Sequence, residues 1–127
     1  MRKIIILLII LLNTNLAFSW VDNCSNDATG SEVSDRYISC VNTNFTRLAL
    51  KLKLKTDRCY TFGASHNPRY IACVNDNFKK FSTELNTPMQ ACRNTNIGSR
   101  DRYRLNQYFQ ECVNRTFRQV NRIIINS

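Results

Sequence analysis

A chain of 127 residues that carries +9 with one histidine and three isolated glycines leaves little room for the commonest chemistries of small enzymes. A lone His66 excludes a two-histidine ribonuclease and a histidine-rich zinc site. Gly30, Gly63 and Gly98 each stand alone, so no glycine-rich loop can cradle a phosphate and no nucleotide cofactor is expected.

The chain opens with Arg2-Lys3, an apolar run from Ile4 to Leu12, and a polar stretch ending in Ala17-Phe18-Ser19. That order predicts a secretory signal peptide over 1–19, cut before Trp20, because the apolar run is far shorter than the ~20 residues of a membrane-spanning helix. Loss of Arg2 and Lys3 leaves +7 of the +9 on a single domain, 20–127, expected to be secreted and extracellular with no transmembrane segment. Six cysteines remain in it, Cys24, Cys40, Cys59, Cys73, Cys92 and Cys112, an even number that predicts three disulfides in an exported chain. Asn23, Asn44 and Asn114 each begin an Asn-x-Ser/Thr sequon and are candidate glycosylation positions.

From Arg36 onward the sequence repeats. Arg36-Tyr37-Ile38-Ser39-Cys40-Val41-Asn42-Thr43-Asn44-Phe45 returns as Arg69-Tyr70-Ile71-Ala72-Cys73-Val74-Asn75-Asp76-Asn77-Phe78, and a looser copy surrounds Cys112. Each copy has a first cysteine (Cys24, Cys59 or Cys92), a glycine-containing loop, and a second cysteine inside an amphipathic stretch, giving units of about 24–56, 59–86 and 92–125. Counted from the second cysteine, apolar residues recur at −3, +1, +5, +8 and +12 in all three copies, the step of three and four that marks one face of a helix. Helices are therefore expected near 34–56, 68–86 and 101–125. Ser34 or Asp35, Asn67 before Pro68, and Ser99 suit the N-caps, and Thr87-Pro88 ends the second helix. The fold class is all-α, a small disulfide-rich bundle of three repeated Cys-loop-helix units, none of which can bury its apolar face alone.

Helix length limits the disulfides. Cys40 and Cys59, like Cys73 and Cys92, are separated by most of a helix, roughly 25 Å, whereas a disulfide needs Cα atoms within about 7 Å. Pairing within each unit, 24 with 40, 59 with 73 and 92 with 112, is preferred. In an up-down-up bundle, 40 with 92 and 24 with 112 would also be reachable.

The remaining surface signal is basic: Arg47, Lys51, Lys53 and Lys55 late in the first helix, Lys79 and Lys80 in the second, Arg115, Arg118 and Arg122 in the third. These form a candidate contact surface for an acidic protein, a glycan or an anionic membrane, or a solvated polar face. Export and the absence of a binding motif argue against nucleic acid. Leu48 to Lys55 alternates apolar and basic residues, which puts Leu48 and Leu52 in the core of a helix and leaves Leu50 and Leu54 exposed. Asn42, Asn75 and Asn114 share position +2, where hydrogen bonding to a glycine loop or an interhelical backbone group is expected. No catalytic, cofactor or metal constellation emerges from the pattern. The expected function is non-enzymatic binding of an extracellular or cell-surface target by a venom, salivary or host-directed protein. A membrane-active defence protein and a carrier of a small apolar ligand are the alternatives.

Overall fold

A computed structural model describes residues 19–27, 33–63, 66–94 and 105–127. They form three helices, α1 (Asp35–Leu52), α2 (Asn67–Glu84) and α3 (Gln107–Ile125), with no strand among the described residues. The expected signal peptide up to residue 18, the Gly30 and Gly98 loops and the expected Ser99 cap lie outside these residues.

Local chemistry sets the helix ends. Ser34 caps α1 by accepting a hydrogen bond from the Tyr37 amide at 3.1 Å. Asn106, not Ser99, caps α3 by accepting from the Phe109 amide at 3.0 Å. At α2 the cap position falls on His66, and Asn67 is the buried first helical residue, its Oδ1 accepting from the Thr61 hydroxyl at 2.6 Å.

α1 stops at Leu52, four residues short of the expected end. Lys53 adopts a left-handed conformation (φ 54°), and the Leu54 amide turns back to the Ala49 carbonyl at 2.9 Å. Leu54 is thereby folded onto the core, which corrects its expected exposure, while Leu48 is buried, Leu52 packs on the core and Leu50 faces solvent. Asn86 (φ 47°) reverses the chain after α2 in the same way, with the Thr87 amide bonded to the Ser82 carbonyl at 3.1 Å.

The core consists of the apolar positions expected from the periodicity. Tyr37, Val41, Phe45, Leu48, Tyr70, Val74, Phe78, Phe81, Phe109, Val113, Phe117 and Val120 are all buried. Position +5 forms a closed triangle of rings, with Phe45–Phe78 at 5.0 Å, Phe45–Phe117 at 4.8 Å and Phe78–Phe117 at 5.0 Å between centroids. Position −3 meets its own kind too, Tyr37 lying 6.5 Å from Tyr70. The two layers are eight residues apart, about 12 Å along a helix. Like meets like in both layers only if the helices run in the same direction. An up-down-up order would pair −3 with positions near the opposite end, so α1 and α2 are parallel. α3 runs the same way, because the first segment meets Asn121 at Trp20 and Asn114 at Cys24 just as it meets Asn44 at Asp22 and Cys40 at Cys24.

The three disulfides join Cys24 to Cys40, Cys59 to Cys73 and Cys92 to Cys112, with Cα separations of 5.7, 5.7 and 5.6 Å. All six cysteines are thus paired. The alternative pairing of 40 with 92 and 24 with 112 is not formed, because it required antiparallel neighbours. Each disulfide closes a loop in the unfolded chain and contributes on the order of 3 kcal/mol.

Candidate functional site

Parallel helices need a long return path, and here the described part of each return is an extended segment lying in the seam between two helices. Such a segment has no neighbouring strand to satisfy its backbone, and buried unpaired backbone groups are costly. Asparagine side chains take the place of that strand. Asn42 of α1 donates to the Cys59 carbonyl at 2.8 Å and accepts from the Cys59 amide at 2.9 Å. Asn75 of α2 grips Cys92 with two bonds of 2.7 Å, and Asn114 of α3 grips Cys24 with two of 2.8 Å. Each first cysteine is therefore bonded through its backbone to one helix and through its sulfur to the next. The grips run α1 to α2, α2 to α3 and α3 back to α1, closing a ring.

A second set works from position +4. Asn44 pairs with the Asp22 backbone at 2.9 and 2.8 Å, and Asn77 with the Asp57 backbone at 2.9 and 2.7 Å. In α3 that position is Thr116, whose hydroxyl bonds its own helix at the Cys112 carbonyl and lies 3.8 Å from the Cys92 sulfur. The aspartates themselves reach outward to position +7: Arg47 meets Asp22 at 2.9 Å and Lys80 meets Asp57 at 2.8 Å. The third unit carries the neutral pair Gln90 and Gln119 there.

These contacts sort the sequence-predicted positions. Asn44 and Asn114 are buried with both amide atoms engaged, so a glycan on either and this packing exclude one another; Asn23 is exposed. Of the nine basic residues, Arg47 and Lys80 are in ion pairs, and the Lys51 ammonium sits 3.8 Å from the Trp20 ring centroid. Lys53, Lys55, Lys79, Arg115, Arg118 and Arg122 are exposed, with no carboxylate at ion-pair distance among the described residues. Several of the nine crowd the end where three parallel helices gather their carbonyl-rich termini, and cations there offset the summed helix dipoles. Part of the basic surface is thus scaffold chemistry.

Among the described residues, two side chains break the rule that buried polar atoms find partners: the hydroxyls of Tyr37 and Tyr70 are buried with no hydrogen bond. Burial pushes both far above the ordinary tyrosine value, with Tyr37 adding to the effect on Tyr70, so both stay protonated. The equivalent residue on α3 is Phe109, which lacks the hydroxyl. Tyr37→Phe and Tyr70→Phe are each expected to raise the unfolding free energy by about 1 kcal/mol or more, read from denaturant midpoints. A loss of stability in either variant would show that its hydroxyl is bonded.

Asp57 supplies a pH test. The hydrogen bond from Lys80 and its charge, with a smaller contribution from Lys55, hold the exposed carboxyl below its ordinary value against slight desolvation. A depressed carboxylate stabilises the fold fully above the unfolded-state value and loses that contribution as pH falls through the folded-state value. Lys80→Gln is therefore expected to flatten the decline in melting temperature between about pH 5 and about pH 2. An unchanged slope would show that the pair is not formed in solution.

Sequence reasoning missed one surface cluster. After Cys59, the Tyr60 and Phe62 rings stack at 6.3 Å with 23° between planes, Phe62 meets His66 edge-on at 6.3 Å, and the Arg58 guanidinium lies 5.2 Å from the Tyr60 centroid. His66 is an exposed loop residue, as expected, and Phe62 is 82% exposed. A loop has no periodicity, so the only available signal was two aromatics and an arginine around one cysteine. No protein-family model, curated protein or solved structure matches the chain.

Proposed function

We propose that the chain is an exported, cationic, non-enzymatic binding protein, built from three Cys-loop-helix units, that engages an extracellular or cell-surface target. The observation that carries this reading is where the polar chemistry is spent. The cysteines are all in disulfides, the +2 asparagines all grip backbone, and the two described ion pairs tie aspartates to helices, so the reactive groups of the interior serve the scaffold. Exposed cations and the Arg58–His66 aromatic cluster remain outside, at positions where the three units differ. Three intramolecular disulfides suit an oxidising compartment, and no described helix is long and apolar enough to cross a membrane.

The alternatives draw less support. A membrane-active surface called for Leu48 to Lys55 and the C-terminal isoleucines exposed together, yet Leu48 is buried, Leu52, Leu54 and Ile124 pack on the core, and Leu50 and Ile125 are the exposed members. A carrier called for rings around a cavity, and the Phe45, Phe78 and Phe117 rings fill the axis by touching one another.

The test is saturable binding of the oxidised, secreted protein to intact cells or extracellular matrix, run alongside a broad hydrolase panel. Turnover abolished by a single acid-to-amide change would overturn the reading, as would the absence of any saturable binding.

A further inference from the structure

We propose that the α1–α2 seam and the aromatic stack beside it form a binding site for a saccharide bearing one carboxylate or sulfate. This rests on the reading of the chain as an extracellular binding protein and adds the ligand class and its place.

An open groove of about 390 Å³ lies between α1 and residues 56–58 of the return segment that occupies this seam. Its walls carry the hydroxyls of Ser39, Thr43, Thr46 and Thr56 and the guanidiniums of Arg47 and Arg58. The Thr46 hydroxyl donates to the Asn42 carbonyl at 3.0 Å and offers a ligand only its acceptor side. The Ser39, Thr43 and Thr56 hydroxyls can both donate and accept, which in a shallow groove matches the hydroxyl-rich rim of a sugar. The charge in the groove is almost balanced. Arg47 is taken by Asp22 and Asp57 by Lys80, while Arg58 has no carboxylate at ion-pair distance among the described residues. One cation thus remains to receive one anionic group, and a guanidinium does so with two parallel hydrogen bonds.

Arg58 also joins the groove to the rings. It lies against Tyr60, which stacks on Phe62, which meets His66. Phe62 meets a ring on either side, so fixing it costs less entropy on binding than fixing an isolated exposed ring. Sugars present apolar C–H faces that pack on such rings. The cluster belongs to one unit only: Arg58, Tyr60 and Phe62 correspond to Asn23, Ser25 and Asp27 in the first unit and to Ala91, Arg93 and Thr95 in the third. The scaffold therefore does not require it.

A peptide ligand is disfavoured by the backbone of the seam. The Asp57 and Cys59 amides and carbonyls are already occupied by Asn77 and Asn42, so an extended chain finds no free edge to pair with at those positions.

The experiment is a heteronuclear NMR titration of the oxidised protein, expressed from the full chain in a secretory host. The probes are sialyllactose, a sulfated heparin-derived disaccharide, neutral lactose and a glutamate oligopeptide. Saturable shifts are expected at Thr43, Thr46, Arg58, Tyr60 and Phe62 with sialyllactose, the heparin disaccharide or both, and the responding sugar identifies the anionic group. Phe62→Ala and Arg58→Gln are each expected to weaken binding about tenfold or more, whereas Arg93→Gln, at an exposed cation beside the third unit's first cysteine, leaves it unchanged. Both single positions are exposed, and intact disulfides with native circular dichroism establish that each variant is folded. Absence of shifts, shifts spread over all cations and erased by salt, or tighter binding of the glutamate oligopeptide at the same residues would overturn the saccharide site. Saturable cell binding that persists undiminished in Phe62→Ala and Arg58→Gln would sink this inference alone. Loss of cell binding in the native protein would sink the underlying reading.

Discussion

Phe45→Ala is expected to lower the unfolding free energy by about 3–5 kcal/mol. Phe45 is completely enclosed and touches Phe78, Phe81 and Phe117, at 5.0, 5.9 and 4.8 Å between centroids. Truncation removes one corner of the ring triangle, so α1 loses its ring contacts with both α2 and α3 and only Phe78–Phe117 remains on the axis. Neighbouring side chains cannot collapse into the space, because the disulfides and asparagine grips hold the helix backbones apart at fixed distances. A small domain has about 5–15 kcal/mol in total, which leaves the variant near the edge of folding under native conditions. Phe45→Leu, which keeps much of the volume, should retain cooperative unfolding. Guanidinium melts of both variants would check this, and a loss below about 1 kcal/mol for the alanine variant would contradict the ring triangle.

Asn114→Leu is expected to cost about 2–5 kcal/mol. The substitution keeps the size of the side chain and strands the Cys24 amide and carbonyl, which Asn114 satisfies at 2.8 Å each in a buried setting. Each such group costs about 1–3 kcal/mol when left unpaired. The damage should also be local in a way that a core cavity is not. Exchange of the Cys24 amide proton is expected to accelerate while that of α2 amides follows global stability. Cys24 stays tethered to α1 through its disulfide, so the segment loosens without leaving. Asn114→Asp should be at least as damaging, because it removes the donor to the Cys24 carbonyl and buries a charge. Wild-type protection of Cys24 in Asn114→Leu would contradict the grip between α3 and the first segment.

The apolar stripes were legible because each helix buries one face, and a step of three and four records that directly. Helix length excluded only the pairings of 40 with 59 and 73 with 92; the within-unit set was preferred, and 40 with 92 and 24 with 112 stayed open because helix direction was unknown. Helix direction was not legible: a stripe is the same whether its helix points up or down, and the direction is set by Lys53 and Asn86 sending the chain back along a seam. The shared asparagines were recognisable as structural, but their partner could not be named before the return segments were placed. Asn44 and Asn77 carry a weaker sequence signal, because Thr116 holds the same position in the third copy and the repeat is broken there. The shortened α1 was the least accessible feature, since Lys53 carries no mark of the left-handed conformation that glycine would have signalled. The cluster from Arg58 to His66 lies off every stripe, so periodicity could not reveal it.

A ring of grips has a consequence for the order of the chain itself. Trp20 donates its amide to Asn121 at 3.1 Å, which brings the start of the first segment against the last helix just as the segment after Lys53 lies against α1. The contact between α3 and the first segment thus joins parts far apart in the sequence, where the other two seams join parts that follow one another. Joining those parts with a short linker and opening the exposed turn at Asn86 would ask the chain to make the same contacts in a rotated order. The fold has a first and a last residue without having a first and a last position.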